Sequence, residues 1–268
     1  MSFSISRWLR PSRPECPICG KTPVSSSQQQ LLPVRHPKPR SILSRVCPQC
    51  LKGLPWIGSP VCRICGRPEV CPDCPKRGER HFVFCRSAVR YDNRMKDLLA
   101  LYKYRGSEKL EPLMAAIVAS AYERINKELA PREIRPYFHL ATSVPLARER
   151  LEERGFNQAE RMACTLASWY GLTYRPMLQR NRHTEKQSLK NRRSRLADMK
   201  GNFTALPSVK MNLDHRSPKP IRILLIDDIY TTGSTVNECA GALRAAFTES
   251  KETDANGVEI YGLLWARS

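Results

Sequence analysis

The stretch Ile223-Leu-Leu-Ile-Asp227-Asp228-Ile-Tyr-Thr231-Thr232-Gly233-Ser234-Thr235 leaves this chain few folds to choose from. Its apolar start reads as a strand buried on both faces, the pattern of a parallel sheet. The run stops at two carboxylates. A turn of small hydroxylated residues around Gly233 follows, and Val236, Ala240, Leu243, Ala246 and Phe247 then recur at helical spacing. A strand, such a turn and a helix N-terminus aim backbone N–H groups and the helix dipole at one spot, which makes an anion site. It lies at the carboxyl end of a strand, where open α/β sheets take their ligands.

No Lys follows Gly233 and the Gly-x4-Gly spacing is missing, so this is not a Walker-type phosphate loop. Two carboxylates beside a phosphate repel it unless they face ribose hydroxyls, or a divalent cation sits between. A sugar phosphate meets both conditions, with hydroxyls on the acids and phosphate on the amides. A buried strand ending in a solvated acidic turn is the plainer alternative. The stretch closely resembles the motif that binds 5-phosphoribosyl-1-pyrophosphate (PRPP) in type I phosphoribosyltransferases.

Cysteine usage splits the 268 residues in two. Eight of the eleven cysteines form four Cys-x-x-Cys pairs: Cys16/Cys19, Cys47/Cys50, Cys62/Cys65 and Cys71/Cys74. In a reducing compartment such pairs are metal ligands far more often than disulfides. Two intervening residues let both sulfurs of a turn reach one Zn²⁺ at about 2.3 Å, and two turns complete a tetrahedron. Gly20 and Gly66 follow the second cysteine of their pairs, as in zinc-ribbon knuckles. Thioredoxin-like redox chemistry is the rival, but no βαβ pattern accompanies the pairs. About two structural Zn²⁺ are expected. Sequence order suggests 16/19 with 47/50 and 62/65 with 71/74, and an interleaved arrangement stays open.

The segment Ser25 to Arg40, polar and rich in Gln, Pro and basic residues, reads as a disordered part of an insertion at about 22–44. His36 within it reads as solvated. Cys85, Cys164 and Cys239 fall in apolar-periodic segments and read as core. The formal charge of +20 points to polyanionic partners, and eight thiolates with two Zn²⁺ lower it only to roughly +16. No apolar run approaches the ~20 residues of a membrane span, and the N-terminus shows no apolar signal region, so a cytoplasmic location is expected.

From His81 a second domain begins. A strand is expected over His81 to Tyr91, helices over Asn93 to Tyr104 and Glu108 to Leu129, and a buried strand from Tyr137 to Val144. Arg148, Arg150 and Arg154 then open a helix running to about Tyr170, and arginine forks at a strand end suit pyrophosphate. Tyr174 to Leu178 reads as a short strand. The basic run Arg180 to Lys200 reads as a mobile lid over a charged substrate, and Ser208 to Pro220 as a linker. Gly257 to Trp265 closes the sheet.

Taken together these parts resemble the ComF proteins (competence protein F), a phosphoribosyltransferase-fold group with an N-terminal double zinc ribbon. The resemblance rests on the four cysteine pairs, Lys103-Tyr-Arg-Gly, Ser143-Val-Pro, Arg154-Gly-Phe-Asn-Gln, the loosely matching Thr184, Gln187 and Leu189, and the acidic-hydroxyl stretch. It implies an α/β fold: residues 1–80 a double zinc ribbon, residues 81–268 a type I phosphoribosyltransferase-like parallel sheet flanked by helices. It implies a role in DNA uptake during natural competence, with Mg²⁺–PRPP as ligand and single-stranded DNA and uptake proteins as partners. Asp227 and Asp228 are the expected catalytic carboxylates. Thr231, Thr232, Gly233, Ser234 and Thr235 are expected on the 5-phosphate, Arg148 and Arg154 on the pyrophosphate, and Ser143 and Lys103 nearby. Tyr230 has no role in the motif.

Three readings follow: a PRPP-binding accessory of DNA uptake, a working phosphoribosyltransferase with an unidentified acceptor base, and a zinc-ribbon adaptor with a dead site. The intact loop weighs against the third. No hood is seen after the last strand, so any acceptor pocket is expected from the N-terminal part.

Overall fold

A strand that is apolar on both faces needs cover on both, and helices on either side of the sheet supply it. The computed structural model describes residues 15–22, 32–76, 78–104, 108–130, 137–181, 201–207, 220–248 and 257–268. Five parallel strands form the sheet: β1 (Cys85–Arg90), β2 (Leu140–Ser143), β3 (Thr173–Tyr174), β6 (Ile221–Tyr230) and β7 (Val258–Arg267), in the order β1-β7-β6-β2-β3. Successive residues of the central strand β6 point to opposite layers. Leu224 and Ile226 join one apolar cluster with α3 (Asn93–Lys103), α4 (Glu111–Leu129) and α6 (Gln158–Tyr170). Ile223 and Leu225 join the other, with α7 (Ser234–Thr248). All four side chains are fully buried. No helix among the described residues is long and apolar enough to cross a membrane.

The cysteine-rich segment shares these two cores. Cys16, Val34, Leu43, Cys50 and Leu54 pack with the α3 and α4 side chains, and Cys65, Cys71, Cys74 and Phe82 with those of α7. It also covers the free edge of β1. Trp56 bridges Val89, Ile57 N donates to Ala88 O (2.9 Å) and Arg90 N to Pro55 O (2.9 Å), so the exposed ladder is satisfied. The division at about residue 80 follows the cysteines, and the packing runs across it.

The structure revises several expectations. Strand β6 continues through the two carboxylates, because Asp227 and Ile229 stay in register with Leu264 and Ala266 of β7. The helix expected from Arg148 to Tyr170 is two, α5 (Arg148–Arg154) and α6, broken where Gly155 takes φ 83 and Asn157 caps the second by accepting from Ala159 N. The strand expected over Tyr174 to Leu178 is interrupted by Pro176, which has no N–H to give a ladder. Past it, β4 (Leu178–Arg180) leaves the sheet and pairs antiparallel with β5 (Phe203–Ala205).

The described part of the Ser25 to Arg40 segment is ordered. Helix α1 (Pro37–Leu43) packs on α4, anchored by buried Val34 and Leu43, while the Glu123 carboxylate accepts from Arg35 N (2.7 Å) and His36 N (2.9 Å). His36 caps that helix through Nδ1 and stacks on Tyr170 at 4.6 Å. A second short helix, α2 (Pro48–Lys52), follows and carries Cys50. Cys85 and Cys239 are buried as expected, but Cys164 is exposed on the outer side of α6. The expected lid from residue 182 onward, with Thr184, Gln187 and Leu189, and the linker from residue 208 to 219 lie outside the described residues.

Candidate functional site

Three chain ends meet at the carboxyl edge of the sheet. From β6 come Asp227 and Asp228, with Asp228 N donating to Asp227 Oδ1 (2.8 Å). From α3 comes Lys103, whose last-turn position suits the helix dipole and whose Nζ lies 2.5 Å from Asp228 Oδ2. From α5 come Arg150 and Arg154, with Arg154 steadied by Gln158 Oε1 at 3.0 Å. Together with Arg180 of β4, Thr231 and Thr235 they line a cleft of about 850 Å³.

The turn behind the cleft is built around Tyr230 and Gly233. Gly233 takes φ 78, which a side chain would resist, and a Cβ there would fall 2.9 Å from Tyr230 Cε2 and closer still to the phenol oxygen. Tyr230, unassigned by the sequence motif, is buried and fills the space under the turn. Thr232 Oγ1 and Ser234 Oγ share a hydrogen bond of 2.7 Å, and Asn237 N donates to Gly233 O (3.0 Å), closing the first turn of α7.

The charges are arranged unequally. Burial, and then the neighbouring Asp228, hold the Asp227 carboxyl well above the usual range. Burial would raise Asp228 too, but the Lys103 ammonium outweighs it and holds that carboxyl below its ordinary value. The two neighbouring carboxyls are thereby driven apart, and Asp228 is the one paired with Lys103. On the opposite wall burial, and then Arg150, lower both Arg154 and Arg180. Guanidiniums gathered in this way gain from an incoming anion.

Of the residues singled out by sequence, Lys103, Arg154, Asp227, Asp228, Thr231 and Thr235 line the cleft, while Thr232, Gly233 and Ser234 shape the turn behind it. Two others do not line the cleft. Ser143 is buried with its hydroxyl on Tyr174 Oη (2.9 Å). Arg148 is 88% exposed and pairs with Glu152 along α5 (3.0 Å). Arg150 takes its place, one helical turn before Arg154 and so on the same face, a spacing legible once Arg154 is chosen. Arg180, the first residue of the basic run, and Tyr104, of the Lys103-Tyr-Arg-Gly motif, also line the cleft, as does Tyr91, which no local pattern marked.

The eight cysteines fall into two groups in sequence order: Cys16, Cys19, Cys47 and Cys50, then Cys62, Cys65, Cys71 and Cys74, each with its sulfurs within 4.8 Å of one another. Cys19 and Cys47 sulfurs are 3.8 Å apart, and those of Cys65 and Cys71 3.6 Å. Zn–S bonds of about 2.3 Å in a tetrahedron give an edge of about 3.8 Å, so either group can hold a zinc ion. Backbone N–H groups already point at the sulfurs, Cys47 N at Cys16 Sγ (3.3 Å) and Cys74 N at Cys71 Sγ (3.5 Å). Against burial, which raises a thiol, such donors bring Cys16 and Cys71 down to about 7. Gly20 (φ 70) and Gly66 (φ 72) make the sharp exit each knuckle needs.

No protein-family profile matches the chain. Among curated proteins it is 31% identical over 208 residues to competence protein ComFC of Bacillus subtilis (strain 168), covering 74% of this chain and 78% of that protein. It is 30% identical over 249 residues to competence protein ComFC of Streptococcus pneumoniae (strain ATCC BAA-255 / R6), covering 89% of this chain and 97% of that one.

The chain belongs to the ComF family.

Competence protein F of Haemophilus influenzae (strain ATCC 51907 / DSM 11121 / KW20 / Rd) is similar too, at 25% identity over 224 residues, 82% of this chain and 89% of that protein.

Proposed function

We propose that this ComF-family chain binds PRPP with Mg²⁺ in the cleft and acts as an accessory of DNA uptake. The supporting observation is the opposition across one cleft of an acidic pair backed by a hydroxyl turn and a wall of three arginines. Ribose hydroxyls suit Asp227 and Asp228, the 5-phosphate suits the amides of 231–235, and the pyrophosphate suits Arg150, Arg154 and Arg180. Asp227 and Asp228 would also hold Mg²⁺, which would supply positive charge beside them as Lys103 now does. The role in uptake follows from the relatives' designation as competence proteins and from the net charge of +20. Calorimetry with PRPP and Mg²⁺ tests the reading, and absence of binding at millimolar PRPP would refute it.

Asp228→Asn keeps the shape but loses a charge-assisted acceptor. Hydrogen bonds to charged groups contribute about 1.5–3 kcal/mol, so PRPP affinity is expected to fall roughly ten- to a hundredfold in the same titration.

Binding to single-stranded DNA should be sequence-tolerant and weaken steeply with salt, since aromatics near the basic runs are few and backbone electrostatics dominate. Fluorescence anisotropy across a salt series checks this, and salt-independent binding would contradict it.

A transfer reaction is the second reading. Tyr91 and Tyr104 line the cleft beside the acidic pair, where an acceptor base would meet an aromatic wall. A pyrophosphate-release screen over candidate bases separates it from binding alone.

A further inference from the structure

Arg267, at the end of β7, is 3% exposed, and among the described residues no aspartate or glutamate pairs with it. Its Nη1 donates to the main-chain oxygens of Tyr230 (3.1 Å), Thr231 (3.0 Å) and Ser268. Its Nη2 donates to Cys65 Sγ at 3.7 Å, and its guanidinium lies 4.6 Å from the ring centre of Tyr230. One buried side chain thus touches a ligand of the second cysteine group and the two residues that lead into the phosphate-binding turn.

A buried guanidinium needs a counter-charge. Four thiolates around a divalent ion carry a formal excess of about two negative charges, and Cys65 is the side-chain acceptor Arg267 meets. A hydrogen bond to a metal-bound sulfur orients the donor as firmly as it tunes the metal. Arg267 in turn fixes the Tyr230 ring and carbonyl, Tyr230 occupies the space against Gly233, and Gly233 sets the direction of the amides that follow. Among the hydrogen bonds of the described residues, none links Cys16, Cys19, Cys47 or Cys50 to this turn.

We propose that Arg267 is a positioning residue that couples the second zinc centre to the 231–235 turn, so that metal at Cys62, Cys65, Cys71 and Cys74 sets the order of the turn. Its consequence for phosphate affinity rests on the PRPP reading; the coupling itself does not.

The test is amide hydrogen exchange of the full chain without ligand, in variants that remove one zinc at a time. Cys62→Ser should speed exchange across 231–236 by roughly tenfold or more, the loss of one or two charge-assisted hydrogen bonds, and by clearly more than Cys19→Ser, which weakens the α3 and α4 face but leaves the Arg267 linkage intact. Arg267→Met should speed it equally with both zinc ions retained by elemental analysis, and Arg267→Lys should restore part of the protection. The double variant Cys62→Ser/Arg267→Met should be no faster than either single change, because both break one linkage. Multiplying effects in the double variant, or parent-like exchange in Arg267→Met, would overturn the proposal.

Cadmium substitution gives a second readout that does not depend on Cys62→Ser folding. The cadmium-113 resonance of the second centre should shift in Arg267→Met while that of the first stays put, and an unmoved second resonance counts against the coupling. PRPP titration of the same proteins keeps the two claims apart. Exchange that follows the expected pattern while no protein binds PRPP upholds the coupling and sinks the ligand assignment.

Discussion

Gly233→Val is expected to abolish PRPP binding, an effect larger than that of any single charge change in the cleft. Two costs coincide at this position. The backbone sits at φ 78, where a β-branched residue is strained by about 1–3 kcal/mol. The added side chain also meets the Tyr230 ring, and forced overpacking typically costs about 1–3 kcal/mol more. The ring has nowhere to go, being 2% exposed and held under the Arg267 guanidinium. Relief must come from the turn itself, which opens and turns its amides away from the phosphate. The first zinc centre, remote from the turn, should remain loaded. Calorimetry with PRPP and elemental analysis report the two halves of this expectation. Parent-like affinity in Gly233→Val would show that the turn is not the phosphate site.

Zinc removal is expected to unfold far more than the first 80 residues. Structural zinc contributes about 10–16 kcal/mol in small zinc-finger peptides, as much as the whole stability of about 5–15 kcal/mol typical of a domain. Here the thiols are also core residues. Cys16 and Cys50 sit among the α3 and α4 side chains, and Cys65, Cys71 and Cys74 among those of α7, with Cys65 fully buried. Chelation therefore removes support from both faces of the sheet and leaves the β1 edge uncovered. The parent should carry about two zinc ions per chain, and the chelated protein should lose its cooperative thermal transition by circular dichroism. A freshly purified, reduced protein without zinc, or an unchanged melting curve after chelation, would contradict this.

Much of the site could be read from short segments. The turn after β6 announces itself within a dozen residues: an apolar strand, two acids, hydroxyls around a glycine, then helical periodicity. The knuckles do the same, since Cys-x-x-Cys, in two of the four followed by glycine, is a local instruction for placing two sulfurs. Arg154 was visible because it precedes a glycine and a helix cap. That Arg148 lies off the cleft was not legible, because a helix N-terminus rich in arginine does not reveal which side chain faces inward until the helix is docked. The order of the described residues 32–40 was hidden for a related reason. Their polar composition is real, but Val34, Leu43 and the hydrogen bonds to Glu123 bind them to a helix that the local sequence cannot see.

By itself the sequence determined the parallel α/β class, the four metal knuckles, the acidic pair and the hydroxyl turn, because each depends on periodicity or spacing within a few residues. Only the tertiary structure decided how they meet. Lys103 reaches Asp228 from the end of helix α3, Arg180 arrives on a strand that has left the sheet, and Arg267 touches Cys65 across 202 residues of chain. Such contacts are set by how whole layers pack and by where buried charges find partners, and no local pattern encodes them.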